Sequence, residues 1–251
     1  MKVVPTLDLK AGSVVRAVAG QRDLYHPIES RLIEGSDPIA LGRAFADKFG
    51  FRHAYVADLD AIDGADPAWD TYVGLTGCGL SLWIDAGLSD QARIEHMCEF
   101  ADDHPAVRRI IFGLESVPNI DTVVAGLRLA GPQRFLFSLD MKNGRPLARS
   151  EDWNGKIAAN VARAVIEAGV QQILLIDLAT VGMHGGCGTE RLCRMLHRKY
   201  PEVKFCVGGG IRGASDLESL AHHGCSAVVV SSSLHDGWLR QEDLEPYDLG
   251  A

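Results

Sequence analysis

Eight short apolar, β-branched runs recur along the chain, each parted from the next by a stretch long enough for a helix. They are KVVPTLDL (2–9), HAYVADL (53–59), SLWID (81–85), RRIIF (108–112), RFLFSLD (134–140), QILLIDL (172–178), VKFCV (203–207) and AVVVS (227–231). Such alternation marks repeated βα units, because parallel neighbours must be joined by a long crossover. The intervening stretches carry helix punctuation. In DPIALGRAFADKFG (37–50), Asp37 is placed to cap, Pro38 to open the first turn and Gly50 to end the helix. SDQARIEHMCEF (89–100), NGKIAANVARAVIEAG (154–169) and GASDLESLAHHG (213–224) read as helices too. Eight units in 251 residues, with no linker, predict one α/β domain over 1–251, a TIM (β/α)8 barrel. A doubly wound open sheet is disfavoured, since the first turn, DLKAGSVV, lacks a G-x-G-x-x-G fingerprint.

The chain also repeats itself. LDLKAGSVVR (7–16) matches LDMKNGRPLAR (139–149), and ADLDAIDG (57–64) matches IDLATVGMHGG (176–186). WIDAGLSD (83–90) parallels CVGGGIRGASD (206–216), and IIFGLES (110–116) parallels VVVSSSL (228–234). Four pairs in the same order predict two half-barrels, about 1–130 and 131–251, related by an approximate twofold axis.

Barrel chemistry sits at the C-terminal ends of the strands. Asp8 and Asp140 hold that place on opposite strands. Two carboxyls there divide labour if one is ionised and one protonated; either also serves as a loop cap. Asp58 and Asp177 form a second pair, evenly open to structural and functional roles. GGG at 208–210 and SSS at 231–233 bring glycines and serine donors to the loops after strands seven and eight, the usual phosphate site of the fold. Gly209, Gly210, Ser231 and Ser232 are the predicted phosphate ligands. Gly87 and Gly113 hold the matching places in the first half, but Asp85 and Glu115 there oppose a phosphate dianion. That end suits an uncharged or cationic part of the ligand.

A net charge of −8, without clustered Lys or Arg, argues against nucleic acid or anionic membrane as partners. The N-terminus carries no signal-like apolar segment, and the chain reads as cytoplasmic. The six cysteines have no zinc-site spacing and read as reduced, mostly buried thiols. Trp83, Trp153 and Trp238 read as packing residues. A phosphorylated small molecule is the expected partner, and a homo-oligomer is compatible with the sequence.

Together, PTLDLKAGSVVR, FSLDMKNG, VGGGIRG and VSSSL resemble the histidine-biosynthesis barrels over nearly the whole chain. These are phosphoribosylformimino-aminoimidazole carboxamide ribotide (ProFAR) isomerase and the imidazole glycerol phosphate synthase cyclase. The resemblance implies Asp8 and Asp140 as catalytic aspartates, Arg16 as a basic substrate contact, an Amadori-type proton transfer and no cofactor or metal. It also shows departures. The isomerase has Thr and a later acid on loop six, where this chain has Ile176 and Val181, leaving Asp177 or a water to serve. GQRDLYHPIES (20–30) resembles the Gly-x-Arg-x-x-Tyr-x-Pro-Ile-x-Ser stretch of a HisA/HisF-related branch in archaea and methylotrophs, associated with tetrahydromethanopterin and methanofuran one-carbon metabolism. This implies substrate contacts at Gly20, Arg22 and Tyr25, with His184 a further ligand contact. The function implied is an isomerase related to ProFAR isomerase in another pathway. A true ProFAR isomerase is the runner-up, and a barrel that binds a phosphometabolite without turnover is the alternative of another class.

Overall fold

In the computed structural model, which describes residues 1–183 and 185–250, each of the eight apolar runs forms a strand. They are β1 (Lys2–Lys10), β2 (His53–Asp58), β3 (Ser81–Asp85), β4 (Val107–Gly113), β5 (Phe135–Lys142), β6 (Gln172–Asp177), β7 (Lys204–Gly208) and β8 (Ala227–Val230). Each pairs in parallel with the next. β8 then pairs in parallel with β1, from Lys2 opposite Ala227 to Pro5 opposite Val230, so the sheet closes on itself. The fold is a (β/α)8 barrel.

The principal outer helices are α1 (Pro38–Ala44), α2 (Trp69–Gly77), α3 (Gln91–Asp103), α4 (Ile120–Ala130), α5 (Ala158–Glu167), α6 (Glu190–Lys199), α7 (Ala214–His222) and α8 (Gln241–Leu244). Side-chain oxygens cap three of them: Asp37 accepts from the Ala40 amide, Asp90 from Arg93 and Asn119 from Thr122. Helix α5 starts at Ala158, four residues later than the sequence suggests. Trp153 is the cause: its buried ring donates Nε1–H to the Val117 carbonyl at 2.9 Å and draws the following residues into a turn. No described helix is long and apolar enough to cross a membrane.

Strand side chains alternate between the bore and the helices. Val4, Tyr55, Trp83, Ile111, Leu136, Leu174, Cys206 and Val229 fill the middle of the bore. Phe45, Phe112, Phe135, Phe137 and Phe205 belong to the larger core shared with the outer layer. Near the foot of the bore Arg109 donates to Gln172 Oε1 at 2.8 Å and lies over the Trp83 ring at 5.9 Å. The six cysteines are all unpaired, and five are buried.

Candidate active site

The same alternation decides which strand-end residues meet. Asp8 lies opposite Ala57 and Ala57 opposite Asp85, so these three share a parity and a ring. On the other side Asp140 lies opposite Ile176, and Ile176 opposite Gly208. These positions face a cavity of about 360 Å³ at the mouth, lined among others by Asp8, Ala57, Asp85, Gly113, Asp140 and Ile176. Gly20, Arg22, Tyr25, Gly209, Gly210, Ser231 and Ser232 also line it, so most of the sequence-predicted site converges there.

Asp58 and Asp177 sit one residue further along their strands and therefore face away from the bore, opposite Leu9 and Met141. Neither lines the cavity. Asp58 caps the turn Leu59–Ile62, accepting from the amides of Ala61 and Ala68 at 3.1 and 2.9 Å and from the Tyr72 hydroxyl at 2.5 Å. Asp177 accepts from the amides of Asn143, Gly144 and Ala179 at 2.9, 2.7 and 3.0 Å, tying the loop after β5 to β6. The parity of the strand thus turns Asp58, expected as a substrate contact, and Asp177, expected as catalytic, away from the cavity and onto these donors. Asp58→Ala leaves a buried hydroxyl and two amides without their acceptor and is expected to cost about 3 kcal/mol in urea unfolding. A loss below about 1 kcal/mol would contradict the capping role.

Two further expectations are corrected by geometry. Arg16 makes a two-pronged pair with Asp236, at 3.0 and 2.5 Å, and does not line the cavity. Gly87 lines an adjoining pocket with Glu115, Ser116 and Arg149 instead of this cavity, and a side chain there would come within 2.5 Å of the Ile62 Cα, so the glycine also serves close backbone packing. The neighbouring backbone is gripped by Arg93, which donates to the carbonyls of Gly87, Ala61, Ala65 and Ala86 at 2.8 to 3.1 Å. His184 lies outside the described residues.

The cavity carboxyls are perturbed by burial. Asp8 is pushed up from 3.8 to about 7 by burial alone. Asp140 also rises to about 7 through burial, although Ser138 Oγ donates to its Oδ1 at 2.7 Å and the Glu115 amide to Oδ2 at 3.3 Å. Asp85 rises to about 8, through burial first and the nearby Asp140 charge second. The last two stand close together: a Cβ built on Gly113 would lie 3.2 Å from Asp140 Oδ2 and 3.3 Å from Asp85 Oδ2. Tyr55 reaches Asp85 with a long hydroxyl contact of 3.5 Å. Burial also raises Tyr25 to about 12, leaving it a neutral hydroxyl at the cavity wall.

Sequence reasoning set Asp85 aside as an obstacle to phosphate and did not bring it together with Asp8 and Asp140. Counting parity back from Trp83, an inward aromatic, supplies the missing signal. Glu115 was likewise read as opposed to phosphate and suited to an uncharged or cationic end of the ligand, without its arginine partners. It is in fact held by Arg22 at 2.8 Å and Arg149 at 2.9 Å, and both arginines also reach Asp63, at 2.5 and 2.8 Å. Four loops are thereby joined at the first-half rim. Loop one is further stitched to loop six by the Ala19 amide on the Val181 carbonyl at 2.9 Å. Gly182, at φ 74, lets the two backbones approach so closely that a Cβ would fall 2.1 Å from the Ala17 carbonyl oxygen.

Residues 2–240 match the family model described as histidine biosynthesis protein. The chain belongs to that family. Among the relatives of this histidine biosynthesis family member is an uncharacterized protein of Methanocaldococcus jannaschii, 28% identical over 244 residues and covered over 97% of each chain. The phosphoribosyl imidazole carboxamide isomerase of Listeria welshimeri is 24% identical over 249 residues, again with 97% of each chain. The isomerase of that name from Rhodospirillum centenum is 28% identical over 244 residues, 94% of this chain and 92% of its own. The Ile176 and Val181 departures both fall on the cavity wall of this family member.

Proposed function

We propose that this barrel is an acid–base enzyme acting on a phosphorylated, sugar-like carbonyl or imine metabolite, with Asp8 and Asp140 moving the proton. One observation carries the reading: both carboxyls open into a single cavity whose other wall is made of Gly209, Gly210, Ser231 and Ser232. Their pKa values near 7, raised by burial, leave each carboxyl able to hold or release a proton near neutral pH, so that one can give a proton while the other takes one. The ionised member removes the proton next to the carbonyl or imine carbon. The protonated member gives its proton to the heteroatom, so charge does not accumulate. No cofactor is called on for these transfers.

The isomerase names of the relatives support an isomerase-type rearrangement. A true ProFAR isomerase fits less well, because Val181 has no proton to transfer and Asp177 is committed to three backbone amides. We therefore assign the enzyme to another cytoplasmic pathway, one-carbon cofactor metabolism with tetrahydromethanopterin or methanofuran. The loop-one pattern Gly20, Arg22, Tyr25, Pro27, Ile28 and Ser30 supports that assignment.

The phosphate wall is tested by Ser232→Asp. Placing a carboxylate beside the anion is expected to weaken inorganic phosphate binding at least about tenfold by calorimetry, with the far-ultraviolet circular dichroism unchanged. Unaltered affinity in a folded variant would move the anion to a different wall.

A further inference from the structure

We propose that the first-half wall of the cavity, built around Asp85, holds a cationic nitrogen, so that the substrate is a monophosphate with an amine at its other end. This rests on the phosphate reading of the second-half wall and names the substrate class for the same cavity. The two walls correspond through the internal repeat yet differ in chemistry. Asp85 stands where the second half has Gly208, Gly113 where it has Ser231, and Glu115 where it has Ser233.

The exchange is sterically matched. A Cβ on Gly208 would come within 2.3 Å of Val229 Cγ2 and 2.8 Å of Ile176 Cγ1, so the second half has no room for a side chain there. In the first half Ala57 holds the place of Ile176, and Gly113 leaves open a space bordered by the Asp140 and Asp85 carboxyls, 3.2 and 3.3 Å from where its Cβ would stand. One wall has thus been kept as a donor surface and its counterpart made an acceptor.

The charges point the same way. Arg22 and Arg149 are balanced by Asp63 and Glu115, two cations against two anions. Asp8, Asp85 and Asp140 have no cation in salt-bridge contact among the described residues. Burial holds the Asp85 and Asp140 carboxyls high, helped by the Asp140 charge at Asp85 and the Glu115 charge at Asp140; Arg22 offsets this only in part at Asp85, and an ammonium in the cavity would supply a closer counter-charge. Among the described residues no group of three or more His, Cys, Asp or Glu side chains is arranged to hold a metal ion, so the fit is to an organic cation. A second phosphate at this end would face three carboxyls in a poorly solvated space.

The opposite wall supplies an independent sign that the cavity is built for a ligand. Ser233 is fully buried, lines the cavity, and its Oγ has no hydrogen-bond partner. Buried hydroxyls are normally satisfied. An unpartnered one beside the glycine-rich loop, across from carboxyls that have no salt-bridge partner among the described residues, fits a ligand with an anionic acceptor at one end and a cationic donor at the other.

Calorimetry on the full chain tests this with matched aminoalkyl and hydroxyalkyl monophosphates of graded length, an alkyl bisphosphate, inorganic phosphate and butylamine. The best aminoalkyl phosphate is expected to bind at least about tenfold tighter than its hydroxyalkyl partner. Asp85→Asn should erase that difference and leave the hydroxyalkyl compound unchanged; Asp85→Gly, which reproduces the residue of the other half, should do the same. Equal affinities in the parent protein, or tighter binding of the bisphosphate, would overturn the inference while leaving the phosphate wall standing. Failure of every phosphate to bind would instead overturn the phosphate reading. In that event, butylamine binding that depends on Asp85 supports the cation site, and its absence overturns it.

Discussion

Asp85→Asn is expected to raise the melting temperature at pH 8 by on the order of 10 °C and to change it little near pH 4. The folded protein holds this carboxyl near pKa 8, whereas an unfolded aspartate titrates at 3.8. Folding therefore takes up a proton there. The associated stability is intact below about pH 4 and is lost as the pH rises towards 8. Over that span the cost of the buried aspartate grows to several kcal/mol, at roughly 1.4 kcal/mol for each pH decade. Asparagine keeps the shape and has no proton to lose. Asp8 and Asp140, both raised to about 7 by burial, add slopes of the same sign. Differential scanning calorimetry of both proteins from pH 4 to 9 measures it; parallel curves would mean that the carboxyl is solvated in the folded state.

The second large effect is on chemistry. Asp8→Asn and Asp140→Asn are each expected to lower turnover by about 10²- to 10⁴-fold while inorganic phosphate still binds. Turnover is read on the metabolite that the parent protein retains from a cell extract, followed by mass spectrometry. Asparagine preserves hydrogen bonding but moves no proton, so retained binding with lost conversion isolates acid–base work from ligand recognition. Full conversion by both variants would place the proton transfers on other residues, and no conversion by the parent protein would leave a barrel that binds a phosphometabolite without turnover.

The fold was legible because its signal is redundant: eight apolar runs at barrel spacing, repeated in order across the two halves, admit few other architectures. That Asp8, Asp140 and the glycine and serine loops line one cavity could be expected for the same reason, since each stands in a recognisable place on a strand or in the turn after it. What the sequence did not show has two physical origins, strand parity and distant tertiary partners. Asp58 and Asp177 also end strands, but a shift of one residue turns a side chain from the bore to the outer layer. Ala57 and Ile176 hold the inward positions instead. Arg16 and Gly87 were hidden by tertiary partners, Asp236 and the backbone of Ile62, which local sequence does not reveal. Glu115 changes its meaning once Arg22 and Arg149, far away in the chain, close upon it.

The outward-facing aspartates have a consequence of their own. Asp58 fastens the chain after β2, and Asp177 fastens the loop after β5 to β6, both from outside the bore. The frame of the mouth is therefore secured by residues that do not touch its contents. Groups inside the mouth can be exchanged without unfastening the loops around them. Scaffold and chemistry are separable one residue apart on the same strand.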